Sequence, residues 1–215
     1  MAVFLHHTPK WMRKVYPGCI WQVDTDNKDI YLTFDDGPIP EVTPWVVDLL
    51  EKYHIKATFF LVGDNIKKHP EVFRLLVDNG HLVANHTYYH KNGFQLTDQE
   101  YYEEINLCKQ EMLKNGYDDN LLFRPPHGRI KPKQIKEISA MGYDLVLWSL
   151  LSGDFSPSLT ADVILKKLKK HLQPGTIAVF HDSLKAESLM KATLEPFIEY
   201  CIEKDYQFKL IKSVR

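Results

Sequence analysis

The stretch KDIYLTFDDGPIPEVTPWVVDLLEKY, residues 28–53, sets the architecture of the chain. Ile30 to Phe34 is a short β-branched and aromatic run that reads as a strand, and it ends in the turn Asp35-Asp36-Gly37-Pro38. Thr43 followed by Pro44 then predicts an N-cap and a first-turn proline. Val46, Leu49, Leu50 and Tyr53 continue as one apolar stripe at helical spacing. Strand, turn and amphipathic helix make one βα unit, and the remaining sequence repeats the pattern. Strands are expected at Ala57 to Val62, His81 to Asn85, Leu121 to Arg124, Asp144 to Trp148, Thr176 to His181 and Gln207 to Leu210. Between them, Pro70 opens a helix that Gly80 closes, and Thr97 with Glu100 has capping-box spacing for a helix running to about Asn115. Pro132 to Met141, a segment capped by Thr160 and ending at His171, and Glu187 to Lys204 complete six helical segments. Alternating elements of this kind predict a single α/β domain of about seven parallel strands. Periodicity alone does not choose between a closed or distorted barrel and an open doubly wound sheet.

The totals exclude several classes. A chain of 215 residues, 44% hydrophobic and 26% charged, has the balance of one globular domain. A formal net charge of -1 supplies no basic field, so no nucleic-acid partner is expected. Cys19, Cys108 and Cys201 form no C-x-x-C pair and read as inert thiols. No apolar run reaches the roughly 20 residues of a membrane span. Met1 to Leu5 is too short for a secretory h-region, which predicts a cytoplasmic protein, or one of the cell envelope if the native chain starts upstream. Residues 1–27 stand apart from the βα pattern as an N-terminal strap. Trp11, Met12, Val15 and Tyr16 share a helical face beside Lys10, Arg13 and Lys14. An interfacial anchor through residues 10–16 is one reading, and a strap packed over the barrel floor is the preferred one. Residues 28–215 then form the catalytic unit.

Polar residues gather where the predicted strands end. The first strand runs into Asp35 and Asp36, the third into His86-Thr87-Tyr88-Tyr89-His90, and the fourth into Arg124-Pro125-Pro126-His127-Gly128. The loop after the fifth carries Asp154-Phe155, and the sixth stops at His181-Asp182. In parallel α/β proteins these ends share one face, where active sites lie. Any one of these pieces alone reads as a solvated turn, an incidental H-x-x-x-H or a surface ion pair; five loops converging on one rim do not. Two imidazoles and one carboxylate leave open positions on a divalent ion, the pattern of a catalytic site. A second aspartate suits a base and an opposing histidine an acid, together a metal-assisted amide or ester hydrolase. Non-haem iron oxygenases use a similar triad on an antiparallel jelly roll, which the βα pattern excludes. His6, His7, His54, His69, His81 and His171 show no convergence and read as surface or packing residues.

The chain resembles the polysaccharide deacetylases, carbohydrate esterase family 4. Thr33-Phe34-Asp35-Asp36-Gly37-Pro38 matches the first family motif, His86-Thr87-Tyr88-Tyr89-His90 the second and Arg124-Pro125-Pro126 the start of the third. Asp154 matches the acid of the fourth motif and His181 the histidine of the fifth. The resemblance implies a distorted (β/α) barrel, an N-acetylated saccharide as substrate, and hydrolysis by metal-bound water. It implies Asp36, His86 and His90 as ligands of one divalent ion, usually zinc, Asp35 as the base and His181 as the acid. Arg124 would orient Asp35, Asp154 would tune His181, and the backbone N–H of His127 would meet the oxyanion. Three departures stand out: His127 replaces the usual Tyr or Phe, Phe155 replaces the usual Trp of the acetate pocket, and the first acid of the fourth motif is absent. Related hydrolases of O-acetyl groups or cyclic imides and ureides share this chemistry. A sugar-binding protein with a vestigial site is opposed by the intact Asp35, Asp36, His86, His90 and His181.

Overall fold

The computed structural model describes residues 5–118 and 121–212. The outer ends of the two predicted segments, residues 1–4 and 213–215, lie outside the described residues. Among the described residues nine strands occur: β1 (Cys19–Ile20), β2 (Asp29–Asp35), β3 (Thr58–Leu61), β4 (Leu82–Asn85), β5 (Leu122–Phe123), β6 (Asp144–Val146), β7 (Leu150–Leu151), β8 (Thr176–His181) and β9 (Gln207–Phe208). The helices are α1 (Lys10–Val15), α2 (Thr43–Lys52), α3 (Gly63–Lys68), α4 (Pro70–Asp78), α5 (Asp98–Lys114), α6 (Pro132–Ala140), α7 (Ala161–His171) and α8 (Glu187–Glu203).

All strand pairs are parallel, in the order β1-β6-β5-β4-β3-β2-β8-β7, with β9 added beside β2. From β2 to β6 each strand lies next to its successor, so the order never reverses as a doubly wound sheet requires. The sheet curls into a half-barrel with helices around it. Seven of the strands fall where the sequence predicts them. To these seven the sheet adds β1 and β7, two-residue strands at the seam of the curled sheet. There Leu147 N–H donates to the Ile20 carbonyl (2.8 Å), Val23 N–H to Gly175 (3.0 Å) and Ser149 N–H to Ile177 (3.2 Å). Residues 6–8 add to this edge through an antiparallel bridge from His7 to Leu150. In α1, Trp11 and Val15 are 63% and 54% exposed, so the predicted apolar face is not buried as a unit. Among the described residues no helix is long and apolar enough to cross a membrane.

Strand β2 is buried at every position. Its period of two sends Ile30, Leu32 and Phe34 out to the helices and Tyr31, Thr33 and Asp35 into the barrel. Fully burying a side chain such as Phe34 stabilises by roughly 1.5–3 kcal/mol. The same alternation on β8 sends Ala178 and Phe180 outward and leaves Ile177 and His181 on the barrel side. Because β2 pairs in register with β8, Asp35 lies directly beside His181. Thr97 caps α5 through the predicted box, with both Thr97 and Glu100 side chains engaged. Thr43 does not cap α2 as predicted; its hydroxyl serves a different partner, described below.

Candidate active site

Each strand end delivers its polar residues to one rim. Asp35 is buried, and its Oδ1 accepts a hydrogen bond from Arg124 Nη1 at 2.6 Å. Arg124 is wholly buried inside the barrel. Its other donors go to Thr33 Oγ1 (2.9 Å), the Val146 carbonyl (3.2 Å) and the Leu147 carbonyl (3.2 Å), while its guanidinium lies 3.9 Å from the Phe60 ring centroid. A buried charge is tolerated when it is paired and hydrogen-bonded, and each of the three guanidinium nitrogens here has an acceptor.

His86 donates through Nδ1 to the Arg124 carbonyl at 2.7 Å, which turns Nε2 toward Asp36. Burial and the neighbouring His90 push His86 well below 6.5, so the ring is neutral and Nε2 keeps its lone pair. His90 Nε2 lies 3.2 Å from Asp36 Oδ1, and His86 Nε2 lies 4.0 Å from the same oxygen. One donor atom from each of Asp36, His86 and His90 falls within 4.8 Å of the others. Two imidazoles, a partly exposed carboxylate and this convergence fit a divalent cation.

On the facing wall, Asp154 grips His181 twice: Oδ1 accepts from Nδ1 and Oδ2 from the backbone N–H, both at 2.8 Å. Burial works against a charged His181 ring, yet Asp154, Asp36 and Asp35 outweigh it and raise the group to about 9. Phe155 meets the His181 ring edge-on at 4.9 Å. His127, in a 3-10 turn, meets His90 edge-on at 4.7 Å. All nine predicted site residues therefore share the rim. Beside them a cleft of about 300 Å³ is lined by Asp36, Asn65, Tyr89, His90 and Ser183 among others. The histidines read as uninvolved lie elsewhere; His81, for instance, is buried against Phe59 and accepts the Ala57 N–H.

Backbone strain collects here. Asp36 (φ 87°), Thr87 (66°), His90 (54°) and His127 (58°) are non-glycine residues in the left-handed region. Each such residue costs on the order of 1–3 kcal/mol and persists only where its surroundings hold it. Several of the holding residues had no local signal in the sequence. Asn65 Nδ2 donates to the Asp36 carbonyl (2.8 Å), Glu104 Oε2 accepts the Tyr89 N–H (2.7 Å), and Asn85 Oδ1 accepts the Thr87 N–H (2.9 Å). Asp182, fully buried, accepts from Gly37 N–H (3.1 Å) and from the Thr43 hydroxyl (2.6 Å). Burial pushes its carboxyl up to about 8 despite these donors. An acid directly after His181, at the end of a buried strand, was its one visible clue.

The curled parallel sheet thus sets a three-donor group between an Asp–Arg pair and a His–Asp pair. The family described as polysaccharide deacetylase matches residues 22–146. A peptidoglycan-N-acetylglucosamine deacetylase of Bacillus cereus is 34% identical over 157 residues, 72% of this chain and 56% of the relative. The peptidoglycan-N-acetylmuramic acid deacetylase PdaA of Bacillus subtilis is 32% identical over 194 residues, 89% of this chain and 73% of PdaA. Among solved structures, the Bc1960 peptidoglycan N-acetylglucosamine deacetylase superposes with a TM-score of 0.87 at 27% identity, covering 95% of each chain. The chain belongs to the polysaccharide deacetylase family, enzymes that act on carbon–nitrogen bonds of carbohydrates.

Proposed function

We propose that the chain removes the N-acetyl group of an N-acetylated saccharide by hydrolysis, with Asp35 as base and His181 as acid. The observation that carries this is the pairing of Asp35 with Arg124 and of His181 with Asp154 on either side of Asp36, His86 and His90. Asp36, His86 and His90 would hold one divalent ion, zinc by the chemistry of two imidazoles and a carboxylate. When bound, the ion supplies Lewis acidity, bringing the pKa of water toward about 7 and polarising an amide carbonyl.

Asp35, paired with and oriented by Arg124, takes a proton from water as the water oxygen bonds to the acetyl carbon. The tetrahedral carbon that results carries an oxyanion, for which the His127 N–H is the proposed donor. His181, charged at neutral pH, passes its proton to the sugar nitrogen. The carbon–nitrogen bond then breaks, leaving acetate and a free amine. Amide hydrolysis expels a basic amine, which is why both an acid and a base are needed. Phe155 walls the space beside His181, where the acetyl methyl would lie.

The relatives' names support glycans containing N-acetylglucosamine or N-acetylmuramic acid as substrates. The test is to incubate the protein with N-acetylglucosamine oligomers and with purified peptidoglycan, and to measure acetate released with and without a chelator. Release that chelation abolishes and zinc restores is expected. No release from either glycan, or full release in metal-free protein, would overturn the reading.

A further inference from the structure

Asp182 is a buried acid at the catalytic rim to which the hydrolytic scheme gives no task. Its position is specific. Oδ1 accepts the Gly37 N–H at 3.1 Å, and Oδ2 accepts the Thr43 hydroxyl at 2.6 Å. The Thr43 oxygen in turn accepts the Ile39 N–H at 2.8 Å, and the Asp182 N–H donates to the Asp35 carbonyl at 3.1 Å. One side chain from the end of β8 thus reaches the turn between β2 and α2 at its start and at its far end. Gly37 is required for this approach, since a Cβ there would lie 2.1 Å from Asp182 Oδ2.

The turn so held carries Asp36, whose φ of 87° is one that a residue with a side chain rarely adopts. On its other side the turn is fastened by Asn65 to the Asp36 carbonyl (2.8 Å) and by the Val62 N–H to the Gly37 carbonyl (3.0 Å). Without Asp182 the Gly37 N–H and the Thr43 hydroxyl would be left inside the protein without their acceptor. Moving the turn is the available relief, and it moves Asp36 Oδ1 away from its place 3.2 Å from His90 Nε2.

We propose that Asp182, through Gly37 and Thr43, is the positioning residue that holds Asp36 in place and so sets the affinity of the three-donor site for its cation. The proposal rests on reading Asp36, His86 and His90 as metal ligands. Asp182 touches neither substrate nor the reacting atoms; it acts through the backbone on both sides of Asp36.

The experiment is a zinc titration of metal-free protein against a chromophoric chelator, for wild type, Asp182→Ala, Asp182→Asn and Thr43→Val. Asp182→Ala is expected to weaken zinc binding about 10–100-fold, the range for groups that orient a ligand. Asp182→Asn keeps an oxygen for the Gly37 N–H and a polar contact to Thr43, so it should recover most of that loss. Thr43→Val should fall between. At saturating zinc, Asp182→Ala should regain most of its kcat, as a positioning role requires. A folded Asp182→Ala protein with wild-type zinc affinity and a lower Tm would reduce Asp182 to a structural residue and overturn the proposal. If Asp182→Ala does not fold, wild-type affinity in Thr43→Val overturns it equally. A wild-type protein that takes up no zinc would instead bring down the hydrolytic reading on which this one stands.

Discussion

The two ends of the barrel differ in a way that cavity size alone would misjudge. Around the start of β2 opens a space of about 1030 Å³, lined by Trp21, Asp29, Tyr31, Lys56, Phe208 and Lys209 among others. The cleft at the carboxyl ends of the strands is about 300 Å³. Yet the end with the smaller space carries the paired buried charges Arg124–Asp35 and His181–Asp154 and a turn forced into left-handed backbone at Asp36. Among the described residues, the convergent three-donor group lies at that end. Folding tends to avoid strain and buried charge, so their concentration at one rim marks the place where another requirement wins. The difference teaches that chemistry here follows oriented charge, and that volume is a poor guide to it.

The sharpest way to break the comparison is to remove a donor. His86→Ala takes away one imidazole and leaves the Arg124 carbonyl without its partner. It should abolish zinc uptake and lower kcat/KM by at least the roughly 10²–10⁴-fold that loss of a general acid or base brings. Metal analysis of the purified variant beside acetate-release kinetics checks this. Near-normal turnover would move the catalytic centre away from this rim.

Asp35→Asn is next in size. The Arg124 contact is retained in part, the ion should remain bound, and kcat should drop roughly 10²–10⁴-fold with loss of the base. Asp36→Asn should behave oppositely, weakening zinc binding first and regaining rate when zinc is added. If excess zinc rescued Asp35→Asn and not Asp36→Asn, the two neighbours would exchange roles.

These pairs show what sequence can carry. Asp35-Asp36 and His86-x-x-x-His90 are legible because their geometry is local: one turn or one loop places both members. The longer strands, β2, β3, β4, β6 and β8, are legible because runs such as Ile30 to Phe34 satisfy the sheet by themselves. Leu122–Phe123 and Gln207–Phe208 are as short as Cys19–Ile20 and Leu150–Leu151, yet they fall inside predicted runs; the latter two do not, and pairing with their neighbours makes them strands. The helix Gly63–Lys68 has no side-chain cap and six residues, so it too left no pattern. Thr43 is the instructive error. Thr-Pro reads as an N-cap, but its hydroxyl is taken by Asp182, 139 residues away, a partner that nothing near Thr43 announces.

A finer test works on the facing wall and uses pH. His181, raised to about 9, is the charged acid through the neutral range. For an N-acetyl substrate, kcat/KM should therefore hold through neutrality and fall as pH rises through about 9. Asp154→Asn removes the largest of the interactions that raise the group, so this alkaline limb should move down. The sign for stability is the same. A histidine raised in the folded state contributes stability that is complete below about 6.5 and lost as pH rises through about 9. His181→Ala should cripple amide hydrolysis yet spare an activated aryl acetate, whose phenolate leaves without a proton. Equal damage to both substrates, with zinc still bound, would remove His181 from the acid role.

The smallest expected effect lies at the other end. Lys56 and Lys209 line the large cavity, are exposed, and belong to neither of the buried charge pairs. Screening by water and salt weakens a surface charge beyond about 8–10 Å, and neither lysine is among the groups that set the protonation of His181. Surface substitutions of this kind usually change stability by no more than about 0.5 kcal/mol. Lys56→Gln and Lys209→Gln, alone and together, are thus expected to keep zinc affinity, the alkaline limb and kcat within twofold of wild type. Thermal melts and the same acetate assay measure all of this. A tenfold fall in kcat with the fold intact would mean that the two ends communicate. The rim could then no longer be treated as a self-contained site, and the large cavity would become the next place to look for a ligand.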